Sequence, residues 1–166
     1  STRYLRPPNV RSSATLDDAV APGIRGVANL TTNEWGLRGP SVELRSGKSN
    51  VSTILTIGGS TTLGEFLDDS EEWPHLFMQA LNRRQDKTFV YVANAAANGH
   101  NTADHLELLK RFTFIEHADV LVFLTGVNDF ASTMAFEGGS THARLAARAS
   151  LASFTQPPQY PFYTRS

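Results

Sequence analysis

Apolar residues follow two regimes along the chain. Over residues 1–50 they are scattered: Tyr4, Leu5, Leu16, Val20, Ile24, Val27, Leu30, Trp35 and Leu37 lie among Pro, Gly, Ser, Asn and Arg. Pro7-Pro8, Pro22-Gly23 and Gly39-Pro40 break the segment further. This pattern predicts an extended arm with short strands, packed over the domain that follows. From residue 51 the apolar positions gather into compact, recurring units. Thr53-Ile54-Leu55-Thr56-Ile57 ends at Gly58-Gly59 and predicts a buried strand over 52–58. Trp73, Leu76, Phe77, Ala80 and Leu81 recur at helical spacing, predicting a helix over 71–84 with that face on the sheet. Asp69 and Glu72 resemble a capping box, with Pro74 in the first turn. A second strand is expected from Thr88 to Ala93, with Asn94 at its end. Leu106, Leu109, Phe112 and Thr113 mark the buried stripe of a helix over 103–116, capped by Asn101 or Thr102. The unbroken run Val120-Leu121-Val122-Phe123-Leu124 lies in a third strand over 119–125 and has the character of a parallel strand covered on both faces. A last helical segment, 143–153, is expected to cross back over the sheet before the Pro-rich stretch Gln156–Pro161.

Strands alternating with helices predict a doubly wound parallel α/β sheet with helices on both faces and right-handed crossovers. The arm is assigned to 1–50 and the domain to 51–166. Parallel strands all point the same way, so the loops after them gather at one sheet edge, where open α/β sheets place their ligands. Ser60, Gly99 and Asn128 fall on three successive loops of that kind. A serine after a glycine turn is equally the composition of an ordinary turn whose hydroxyls satisfy nearby backbone. The convergence of three such loops favours a site.

Composition narrows the classes. The 166 residues suit one domain, and 40% hydrophobic content is ordinary for a globular chain. Fifteen basic and sixteen acidic residues are interspersed, giving a net charge of −1. There is no basic stripe for nucleic acid and no polybasic patch for a membrane surface. No apolar run reaches the ~20 residues of a membrane span. The chain begins with Ser1 rather than Met, which is compatible with a removed leader or anchor. Cysteine is absent, so disulfides, thiol catalysis and thiolate metal sites are excluded. Asp68-Asp69 can be read as a metal site, but acidic residues before a helix are explained more simply by the helix dipole. Arg25 and Arg38 are read as solvated or structurally paired before they are read as functional.

Three blocks resemble those of the SGNH, or GDSL-type, serine hydrolase superfamily: Gly58-Gly59-Ser60-Thr61-Thr62, then Asn94 through Gly99, then Gly126-Val127-Asn128-Asp129. The likeness spans about 50–130, with Gly59 where the family usually has aspartate. It implies a flavodoxin-like sheet of five strands in the order 2-1-3-4-5. It also implies acyl transfer through a serine ester, with Ser60 as nucleophile and with the Ser60 N–H, the Gly99 N–H and the Asn128 amide as oxyanion donors. Gly59, Thr61, His100 and Asp129 would then border the substrate. No cofactor or metal is required. The substrate would be a small-molecule, lipid or glycan ester. The arm stretch Asn33-Glu34-Trp35-Gly36-Leu37-Arg38-Gly39-Pro40 is similar to envelope-associated bacterial members, which points to the cell envelope or secretion.

The family's late Asp-x-x-His block is absent from this chain. The nearest pattern, Glu72-Trp73-Pro74-His75, is early and lies on the first long helix, and none of His75, His100, His105, His117 and His142 stands out as the base. The sheet raises the same difficulty, because a domain ending at the third strand would expose its most apolar strand. The expectation is therefore an incomplete sheet, with the remaining strands and the catalytic Asp and His on a separate or missing C-terminal segment. A non-catalytic binding module on the same fold is the alternative. A phosphate or nucleotide binder at the glycine turn stands behind it. It is neither a Gly-x-Ser-x-Gly elbow, since position 62 is threonine, nor a Walker loop.

Overall fold

A computed structural model describes residues 5–15, 26–41, 50–84 and 88–137, with side chains described as far as Met134. The central sheet is parallel and joins β3 (Val51–Gly58), β4 (Phe89–Asn94) and β5 (Val120–Leu124) in the spatial order β4-β3-β5. A separate antiparallel pair, β1 (Arg11–Thr15) and β2 (Val27–Thr31), lies in the arm. The helices are α1 (Ser60–Leu63), α2 (Trp73–Asn82), α3 (Thr102–Arg111) and α4 (Val127–Glu137), with a 3₁₀ turn at Thr113–His117.

Strand alternation sorts the packing. Leu55 and Ile57 of β3 and Tyr91 and Ala93 of β4 share one face, where they cluster with Leu108, Phe112 and Phe114 from the α3 region and Leu37 from the arm. Thr56 and Asn94 point to the other face. There Asn94 Nδ2 donates to Thr62 O of α1 (2.8 Å) and to Glu72 at the start of α2 (2.7 Å). Helices thus cover both faces of a parallel sheet, which is the expected doubly wound α/β class.

Several local expectations shift. α2 begins at Trp73, and its N-cap is Glu72, whose carboxylate accepts the His75 N–H at 3.0 Å. Asp69 is not the cap, because its carboxylate is taken by Thr31 N–H, Thr31 Oγ1 and Arg38 Nε. Asp68 accepts from Asn29 and Ser70 instead, and these bonds hold its carboxyl well below the usual range. Leu76 and Ala80 of the expected sheet-facing row are exposed, and the buried residue of α2 is Pro74. α3 ends at Arg111, not 116, where Phe112 leaves the helical region (φ −90°, ψ 104°). Its buried stripe is His105, Leu108 and Phe112, one residue round from the expected row, and Leu106 is exposed. Asn101 caps α3 in a complete capping box with Asp104. α1 and α4 form where the sequence predicts loops after the first and third strands of the sheet. Segment 143–153, Arg25 and His142 lie outside the described residues.

The arm is stitched to the sheet through Arg38, whose side chain is almost fully buried. Its five N–H groups are all used: Nε donates to Asp69 (2.8 Å), Nη1 to Leu63 O (2.5 Å) and Gly64 O (2.6 Å), and Nη2 to Leu67 O (2.6 Å) and Asn29 O (3.3 Å). Its backbone N–H donates to Asn94 O at 3.0 Å. Arg38 is therefore structurally paired, chiefly with residues 63–69 at the end of α1 and in the loop after it.

Candidate functional site

The site is built where β3, β4 and β5 end. β3 stops at Gly58, and the chain turns into α1, with Gly59 as its N-cap and Ser60 as its first, exposed residue. Both glycines are demanded by close approach. A Cβ on Gly58 would stand 2.1 Å from Thr62 Oγ1 and 3.0 Å from Leu124 O. A Cβ on Gly59 would stand 2.6 Å from Asn128 Nδ2 and 3.4 Å from His100 O. A side chain at position 59 would therefore have to displace the Asn128 amide from the place it holds here.

The second loop follows β4. Ala95 N–H donates to Thr56 O (2.9 Å) and Ala97 N–H to Gly58 O (3.3 Å), so the loop lies along the end of β3. His100 N–H closes the turn on Ala97 O (3.3 Å). Gly99 within that turn has φ +74°, the left-handed region where a side chain is costly.

The third loop opens α4, with Asn128 and Asp129 in its first turn. Asn128 Nδ2 donates to His100 O at 2.7 Å. The Asp129 carboxylate accepts Thr102 N–H at 3.0 and 3.2 Å, at the start of α3. Desolvation pushes the Asp129 carboxyl up, but the Thr102 bonds and nearby His105 outweigh it and hold it below its ordinary value. Asp129 is an ionised tie between two loops.

Ser60, Gly59, Gly99, His100, Asn128 and Asp129 are therefore brought to one edge of the sheet. Thr61 is exposed beside Ser60, and Thr62 is buried beneath it. The other histidines have structural settings. His75 meets Gln79 at 2.9 Å, His117 stands edge-on to Trp35 and Phe114, and His105 is buried against the His100 ring. Among the described residues no group of three or more His, Asp or Glu side chains is placed to hold a metal ion, and no helix is long and apolar enough to cross a membrane.

Two supporting groups have no part in the site as read from the sequence, where Glu72 reads only as part of a capping box and of an early Glu-x-x-His pattern. Glu72 lies beneath the Ser60 turn, bonded to Asn94 and the His75 N–H. Burial pushes its carboxyl up to about 7, against the pull of the Asn94 hydrogen bond and the Arg38 charge. Glu65, just past the left-handed Gly64 that ends α1, accepts from Arg6 Nη2 (2.6 Å) and from Asn98 Nδ2, joining the arm to the second loop. A carboxylate next to a helix-ending glycine carries no sequence signal of its own, since its partners lie 59 and 33 residues away.

The sequence matches no protein-family model and no curated protein. Solved structures similar to the chain include TesA, at 23% identity over 62% of this chain and 53% of TesA, with a TM-score of 0.42. They also include AlinE4, an SGNH-hydrolase family esterase, at 28% identity over 65% of this chain and 52% of AlinE4, with a TM-score of 0.40. The chain spans about half the length of each.

Proposed function

We propose that this chain carries the nucleophile half of a serine esterase of the SGNH type. One observation carries the reading: the Asn128 amide sits against Gly59 and bonds His100 O, so an uncharged donor adjoins both the Ser60 turn and the Gly99 turn. In the proposed reaction Ser60 Oγ attacks an ester carbonyl. The C–O bond to the alcohol breaks, the alcohol departs with a proton, and water then cleaves the acyl-serine. The tetrahedral oxyanion is met by the Ser60 and Gly99 N–H groups and by Asn128. Removing such a donor costs roughly 10²–10³ in rate. Asn128 is neutral, so it stabilises the oxyanion without opposing protonation of the serine's base. The pocket and acyl preference belong to loops beyond the three described, so small-molecule, lipid and glycan esters all fit.

The Asp and His of the triad are assigned to a C-terminal segment that adds strands next to β5. Supporting this, Val120, Phe123 and Leu124 of β5 are 47, 44 and 48% exposed, and Val127, Phe130 and Met134 of α4 continue the exposed apolar surface. The chain alone is expected to turn over esters poorly, because losing a triad member costs on the order of 10⁴-fold. A fluorophosphonate probe applied to the completed protein tests the reading. Expected is a single adduct on Ser60, abolished by Ser60→Ala and slowed about 10²-fold by Asn128→Ala. A completed, folded protein that never labels rejects it and leaves the non-catalytic binding module.

A further inference from the structure

Glu65 touches neither Ser60 nor a proposed oxyanion donor, yet its carboxylate spans two parts of the molecule that nothing in the local sequence connects. One oxygen accepts Arg6 Nη2 at 2.6 Å, and the other accepts Asn98 Nδ2. Asn98 directly precedes Gly99. Both ends of the ion pair are largely shielded, the Arg6 side chain at 10% and Glu65 at 19% exposure. Charge-assisted hydrogen bonds in such a setting are stronger than exposed ones.

Arg6 is itself held by backbone. Its carbonyl faces Gly36, where a Cβ would approach to 2.4 Å, and Gly36 has φ +76°. Just beyond, Pro7 O accepts Thr32 Oγ1 (2.7 Å) and Asn9 N–H donates to Asn33 O (3.0 Å). The guanidinium is therefore presented from a segment fixed to the 32–36 loop. On the other side, the 97–100 turn meets the strand ends through Ala97 N–H to Gly58 O and closes through His100 N–H to Ala97 O, both 3.3 Å, and Asn128 Nδ2 holds His100 O at 2.7 Å. The Glu65 bond to Asn98 adds the tie that joins this turn to the arm.

We propose that Arg6, Glu65 and Asn98 form a positioning relay, through which the N-terminal arm holds the Gly99 turn in register with the Ser60 turn. Glu65 is the positioning residue, and it acts through Asn98. The relay rests on the proposed esterase reading only for its consequence in rate; the mechanical tie stands independently. It also gives the arm a role at the site beyond covering the sheet.

Amide hydrogen exchange on the chain is the direct test. Glu65→Ala is expected to speed exchange at Ala97 and His100 about tenfold while Leu55 and Ile57 in β3 are unchanged, and Glu65→Gln, which keeps an acceptor for Asn98, restores most of the protection. Arg6→Met gives the same local pattern more weakly, and it serves in place of Glu65→Ala if that variant does not fold. Exchange at Ala97 and His100 within twofold of wild type, or equal acceleration in β3, overturns the relay. In the completed protein, Glu65→Ala is expected to lower the maximal rate of fluorophosphonate labelling about tenfold at unchanged half-saturation, with rescue by Glu65→Gln. If the wild type never labels, the esterase reading fails, and the exchange data still decide the relay.

Discussion

The two flanks of β3 are in opposite states. On the β4 flank, Leu55, Ile57 and Ala93 are fully buried, the arm closes over them with Leu37, and the Arg38 guanidinium pins residues 63–69 with four of its five donors. On the β5 flank the register with β3 is equally regular, running from Ile54↔Val120 to Gly58↔Leu124, but the side chains stay exposed. Backbone pairing and side-chain burial are thus separable. Hydrogen bonds align β5, while the hydrophobic effect that should hold it has little to act on. The Ser60 and Gly99 loops grow from the buried flank, and Asn128 grows from the exposed one. The candidate site spans a buried half and an exposed half.

The largest effect that would break this contrast is at Arg38. Arg38→Ala leaves Asp69 and the carbonyls of Leu63, Gly64 and Leu67 without their buried donor. It is expected to destabilise by about 3–5 kcal/mol in urea denaturation. A cost under about 1 kcal/mol would mean the arm does not clamp the buried half.

A paired substitution sharpens the contrast directly. Leu55→Ala in β3 is expected to cost about 3 kcal/mol, whereas Phe123→Ala in β5 should cost less than about 1 kcal/mol in the chain alone. If the proposed C-terminal segment covers β5, the Phe123→Ala cost in its presence should rise toward that of Leu55→Ala. Equal costs in the isolated chain would show that β5 is already covered.

The smallest effect concerns pH. The Glu72 carboxyl is raised in the folded chain to about 7, so the folded state holds this proton where the unfolded state has lost it. Its contribution is fully present below the unfolded value near 4.5 and is lost as pH rises through about 7. Stability is expected to fall by about 2–3 kcal/mol across that window. Glu72→Gln should flatten that slope, and a slope that persists unchanged would assign it to another group.

Much of the architecture was legible because period and punctuation report it locally. The five-residue apolar run of β5, the glycines closing β3 and the Asn101 cap of α3 each act within a few residues. The misplaced details were tertiary. Asp69 had the position of a helix cap but met Thr31 and Arg38 first, and the cap passed to Glu72. The buried row of α3 turned by one residue, so that His105 rather than Leu106 faces inward. No local rule anticipates either, since competition among distant partners decides them.

From the sequence alone came the strand–helix alternation, the three strand-end loops and the candidate trio Ser60, Gly99 and Asn128. These follow from side-chain periodicity and from backbone freedom at glycine, properties of neighbouring residues. Only the tertiary structure decided that Gly59 makes room for Asn128, that Arg38 commits four of its five side-chain donors to residues 63–69 after the Ser60 turn, and that Glu65 ties the arm to the Gly99 turn. Those contacts join residues tens of positions apart. Their energies depend on desolvation and distance, which exist only once the chain has folded.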